Sequence, residues 1–219
     1  PASTNRLTRT PAARSPPIAS PSARAGVSGD QPAWLFTTMQ SDGNIPSTLL
    51  KKYVVVFDYP KRRLTMAEPG SLQPRGMGSP AIIHPQTGIV QMEAVIEGKN
   101  YSFALDMGAS YSFMSSGKLE ELAEAHPDWP RVRGTLGCAN MWGWWPANEQ
   151  QFLVVRIPEI KWGNTRFENL GIVGASDFSP NGPTLGEWYS RKTARPVDGF
   201  LGPNALKDYR VEIDYAKGM

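Results

Sequence analysis

The chain has 219 residues, 40% hydrophobic and 10% aromatic, which suits one or two globular domains with a packed core and excludes a low-complexity polymer. Its formal charge of +3 is matched by the first 33 residues, where Arg6, Arg9, Arg14 and Arg24 stand against Asp30, so the body is neutral and the pI near 9.1 marks no nucleic-acid surface. A single Cys excludes an intrachain disulfide, His84 and His126 offer no zinc-site spacing, and neither a Gly-rich phosphate loop nor an 18-residue apolar run is present.

Residues 1–33 are rich in Pro, Ala, Ser and Arg, with Leu7, Ile18 and Val27 as their only large aliphatic side chains. Such a stretch buries too little apolar surface to offset the entropy of ordering and is expected to be disordered. It opens on Pro1 with no charged segment leading into an apolar run, so the native start and any signal peptide are expected to lie outside it. Residues 49–65 read as a helical turn and then a strand, with Val55, Phe57 and Tyr59 on one face and a break at Pro60. Residues 67–80 are rich in Pro and Gly and read as a linker.

From Ala81 the pattern is of strands. Val90, Met92, Ala94 and Ile96 alternate with polar residues, and Gly98-Lys99-Asn100 turns the chain into a second strand with Tyr101, Phe103 and Leu105 on one face and Ser102, Ala104 and Asp106 on the other. That strand delivers a carboxylate to a tight loop, where Gly108 is expected to let the backbone turn sharply before Ala109 and Ser110. Ser115 or Ser116 caps a helix with Leu119, Leu122, Ala123 and His126 at spacings of three and four, stopped by Pro127; His126 reads as a helix-end residue and not as a catalyst. In residues 137–147, Cys138 reads as a small buried hydrophobe, and Trp142, Trp144 and Trp145 suit a substrate-covering lid, a cap on the open end of a barrel or a sugar-stacking platform. Residues 152–157 and 160–167 read as strands, the second turned at Gly163-Asn164.

An internal repeat joins the two ends of this pattern. Residues 42–61 align with residues 198–217 at a constant offset of 198 − 42 = 156, with identities at Asp42/Asp198, Gly43/Gly199, Leu50/Leu206, Lys51/Lys207, Tyr53/Tyr209, Val55/Val211, Asp58/Asp214, Tyr59/Tyr215 and Lys61/Lys217. Nine identities over twenty positions exceed chance and mark a duplicated segment.

The loop Asp106-Met107-Gly108-Ala109-Ser110 resembles the Asp-Thr-Gly-Ala-Ser active-site loop of aspartic proteases, the retropepsin-like ones in particular. Phe200-Leu201-Gly202, with the short helix and the strand ending in Asp214-Tyr215 that follow, resembles the segment that closes a lobe in that family. The resemblance implies a mostly β fold: a closed acid-protease β-barrel lobe over 81–219 with one or two short helices, preceded by residues 34–66 as the C-terminal remnant of a first lobe. It further implies an aspartic-type endopeptidase without metal or cofactor, acting on polypeptides, with Asp106 as one catalytic carboxylate and the three Trp near a flap.

One carboxylate cannot both activate water and protonate a carbonyl, so the resemblance calls for a second acid, from an upstream lobe in cis or from a second copy in a homodimer. Nothing in residues 1–41 reads as that acid loop, so the chain by itself is expected to be inactive, and the repeat favours the two-lobe answer. The family link points to a secreted or periplasmic location. Met107 departs from the pattern, because the Thr or Ser that follows the acid in the family bonds across the lobes and a thioether is only a weak acceptor. The alternative is therefore a catalytically silent relative that keeps the barrel as a peptide-binding or scaffold module.

Overall fold

A computed structural model describes residues 3–9 (as backbone), 45–109, 111–133, 152–175 and 192–217. Among these residues the chain is mostly β, with three short helices: β1 (Ser3–Arg9), α1 (Ser47–Leu50), β2 (Val54–Asp58), β3 (Arg63–Ala67), β4 (Met77–Ile83), β5 (Val90–Ile96), β6 (Lys99–Leu105), β7 (Phe113–Ser115), α2 (Ser116–Ala125), β8 (Arg131–Arg133), β9 (Leu153–Trp162), β10 (Thr165–Ala175), β11 (Gly199–Leu201), α3 (Pro203–Leu206) and β12 (Tyr209–Asp214).

Six of these strands close on themselves. The pairing runs β5-β6-β11-β7-β10-β9 and returns to β5 through Val95↔Lys161, which leaves no free edge inside the ring. The barrel interior holds Met92, Ala94, Phe103, Met114, Ile157, Ile160, Trp162 and Ile172, all nearly inaccessible to solvent, and α2 covers one side with Leu119, Leu122 and Ala123. The Trp162 indole N–H donates to the Pro80 carbonyl at 2.6 Å, so the largest buried ring leaves no unpaired polar atom. At the helix end His126 stacks on Trp129, ring centroids 4.2 Å apart, as a helix-end residue.

The hairpin β5–β6 forms where the alternation places it, but the alternation understates its burial. Phe103 faces the barrel interior, while its neighbour Ala104 lies in a second apolar cluster with Phe113, Val173 and Phe200, so the acid-bearing strand is covered on both faces. Residues 152–167 differ from expectation. β9 runs unbroken through Pro158 to Trp162, because the ladder with β10 skips the position where Pro158 opposes Asn169, and a missing N–H costs nothing there.

Outside the barrel the sheet continues as β4-β1-β12-β2-β3. Ser3–Arg9, inside the stretch expected to be disordered, is a strand laid antiparallel between β12 and β4. Composition misleads here because a central strand is held by main-chain N–H and C=O groups, and this segment contains no Pro to interrupt them. Residues 10–33 lie outside the described residues. The expected linker is also shorter than 67–80, since Ala67 ends β3 and Met77 begins β4.

The repeat is a repeat of structure. Helix α1 at 47–50 and helix α3 at 203–206 stand at the offset of 156. Asp58 Oδ1 accepts from the Lys61 N–H at 3.2 Å and its carboxylate pairs with the Lys61 ammonium at 3.6 Å; Asp214 and Lys217 do the same at 3.1 and 3.3 Å. The two copies then pair with each other. β2 runs antiparallel to β12, and Val56 lies opposite Glu212, its own repeat mate at 212 − 56 = 156. An antiparallel pair whose opposed residues are equivalent has a local two-fold axis through that position.

Candidate active site

Asp106 follows the last residue of β6, and its position is set by β11, which lies parallel to β6 with Gly199↔Phe103, Phe200↔Ala104 and Leu201↔Leu105. The Asp106 N–H donates to the Leu201 carbonyl at 3.0 Å, so the acid begins its loop beside Phe200-Leu201-Gly202. The other edge of β11 is taken by β7, antiparallel, and the Phe113 and Phe200 rings stack with centroids 4.9 Å apart.

Two glycines make this crowding possible. A Cβ on Gly199 would lie 2.4 Å from the Phe113 carbonyl oxygen and 2.8 Å from both the Met114 Cβ and the Phe103 ring; one on Gly202 would lie 2.8 Å from the Tyr111 carbonyl. Gly108 is different. Its φ is not in the left-handed region, and a Cβ there would meet only the Asp106 carboxylate at 3.5 Å, so it is not demanded by a sharp turn. Its contribution is a donor: the N–H groups of Gly108 and Ala109 both reach Asp106 Oδ1 at 3.0 Å.

The Asp106 carboxyl therefore feels opposed influences. Enclosure by protein pushes its pKa above the ordinary value, and this is the larger effect; the two backbone N–H groups favour the carboxylate and pull it back. No carboxylate among the described residues contributes to the shift. The group is thus a partly desolvated acid, oriented by its own loop, with one oxygen occupied by main-chain donors.

Beneath the loop lies a polar knot that the sequence pattern did not reveal. Ser112, fully buried, donates through both its N–H (2.7 Å) and its hydroxyl (2.6 Å) to Asn204 Oδ1, and its Oγ accepts from the Gly202 N–H at 2.9 Å. Asn204 Nδ2 donates to the Gly171 carbonyl at 2.8 Å, so one amide joins the acid loop, the closing segment and β10. The only trace of it in the sequence is a Ser and an Asn 92 positions apart, and the repeat hides it further because Asn204 aligns with Thr48. On the far side, Asp198 forms an ion pair with Lys118 and accepts from the Ser102 N–H at 2.7 Å, tying the start of β11 to β6.

Met107 is half-buried, and its Sδ accepts from the Tyr59 hydroxyl at 3.3 Å. Tyr59 follows β2, so the first copy of the repeat reaches the acid loop. Its phenol pKa is pushed up to about 12, mainly by burial and further by the negative charge of Asp106. The other predicted site residues, Ser110, Trp142, Trp144 and Trp145, lie outside the described residues, as does Cys138. Among the described residues no three His, Cys, Asp or Glu side chains are grouped to hold a metal ion, and no helix is long and apolar enough to cross a membrane.

No family model matches the sequence, and no curated protein is similar to it. Among solved structures, the chain is similar to one described as a retropepsin-like aspartic protease from Rickettsia conorii, at 14% identity and a TM-score of 0.35, over 60% of this chain and 87% of that one.

Proposed function

We propose that this chain carries half of the catalytic centre of an aspartic-type endopeptidase, with Asp106 as one of two carboxyls that activate water against a peptide bond. The observation that carries the reading is the setting of the Asp106 carboxyl: enclosed, raised in pKa, and held by Gly108 and Ala109 N–H groups on a loop clamped by β11. Two acids sharing one proton divide the chemistry. The ionised member takes a proton from water as it attacks, and the protonated member donates to the carbonyl oxygen, so neither needs a metal.

The second acid belongs to a partner lobe. The pairing of β2 with β12 about Val56/Glu212 favours a lobe in the same polypeptide over a homodimer, because one chain already fills both sides of the local two-fold. The substrate is a polypeptide.

The test is hydrolysis of a quenched-fluorescent peptide library by full-length protein across acidic to neutral pH, with Asp106→Asn as the control. Asn keeps the shape and removes the charge, so turnover should fall by about 10²–10⁴-fold while peptide binding persists. Cleavage that survives with Asn at 106 removes the acid from the mechanism. Peptide binding without cleavage at any pH would favour the scaffold reading, to which Met107 in place of a hydroxyl residue is the pointer.

A further inference from the structure

We propose that Tyr59 is a positioning residue for Asp106: its hydroxyl, donating to the Met107 thioether, ties the acid loop to the end of β2. The inference deepens the endopeptidase reading and rests on it.

The geometry is specific. Tyr59 Oη lies 3.3 Å from Met107 Sδ, and both side chains are half-buried against the barrel core, where a polar hydrogen without a partner is costly. Tyr59 is anchored at its backbone by donation to the Tyr209 carbonyl at 3.3 Å, and its ring lies nearly parallel to that of Phe57, centroids 6.4 Å apart. The donor is thus carried on a fixed platform and the acceptor on the residue directly after the acid. Its raised pKa keeps the phenol protonated, and so a donor, at every pH where a protease of this kind would work. Sulfur is a weak acceptor, so the tether steers the loop without dominating its stability.

Tyr59→Phe keeps the ring and removes the donor; Met107→Leu keeps the volume and removes the acceptor. In full-length protein, Tyr59→Phe should lower kcat by about tenfold with KM changed less than about twofold, because a displaced acid costs rate more than binding. In the Met107→Leu background the same substitution should cost nothing further, since the acceptor is already gone. A second readout needs no activity: the Met107 ε-methyl signal in a ¹³C-methionine NMR spectrum, assigned by its absence from Met107→Leu, should shift in Tyr59→Phe. An undiminished kcat in Tyr59→Phe, or a Met107 methyl that does not move, overturns the proposal. If the wild-type protein hydrolyses nothing, the endopeptidase reading falls by itself, and the tether is judged on the methyl: movement upholds it and an unmoved signal overturns it.

Discussion

A carboxyl group enclosed by protein holds its proton more tightly than one in water, and this gives Asp106 a measurable signature that does not depend on any activity. Folding raises its pKa above 3.8, so the folded state binds the proton more tightly than the unfolded one. Its contribution to stability is therefore fully present below about pH 4 and is lost as the pH rises through the folded value. Asp106→Asn lacks this term. The melting temperature of the variant should match that of the wild type near pH 3 and exceed it near pH 7, as followed by circular dichroism. A variant less stable than the wild type at pH 7 would mean that the two N–H donors of Gly108 and Ala109 outweigh burial, and that the carboxylate is the preferred form in the fold.

At the scale of elements, β11 is the keystone of the site, because a three-residue strand with neighbours on both edges leaves no room for adjustment. Gly199→Ala puts a methyl group against a carbonyl oxygen and a fully buried ring, and should destabilise by about 3 kcal/mol or more in urea unfolding. A loss below about 1 kcal/mol would show that β7 yields. Asn204→Ala removes an acceptor for two donors of Ser112 and a donor to Gly171, leaving a buried N–H unpaired, and should cost about 3 kcal/mol. Asn204→Asp, which keeps the acceptor, should recover part of that loss.

These elements also mark how much was legible beforehand. The place of Phe200-Leu201-Gly202 beside Asp106 is seen only in the β6–β11 pairing, but the hairpin into Asp106 followed from periodicity, a local pattern of apolar and turn residues. Strand β1 and the Ser112–Asn204 knot did not. The first is held by backbone groups that any non-Pro sequence supplies, and the second by two polar residues whose meeting depends on the whole fold.

At the scale of the whole molecule, the two copies of the repeat bring a pair of matched tyrosines to equivalent places. Tyr59 and Tyr215, at the offset of 156, each follow a strand of the β2–β12 pair, pack on the barrel core and have pKa values pushed up to about 12, burial being the first cause for both. A phenol whose folded pKa exceeds its unfolded value of 10.0 supports folding fully below pH 10, and that support is lost as the pH rises toward 12. Phenolate absorbance in an alkaline titration should therefore show a late step that Tyr59→Phe and Tyr215→Phe each reduce, coinciding with loss of the folded circular dichroism signal. The double variant should lose stability less steeply above pH 10 than the wild type, because two groups that must ionise on unfolding have been removed. If instead every tyrosine titrates in one step near pH 10 while the protein stays folded, the junction between the two copies is open to water and the close packing of β2 against β12 fails.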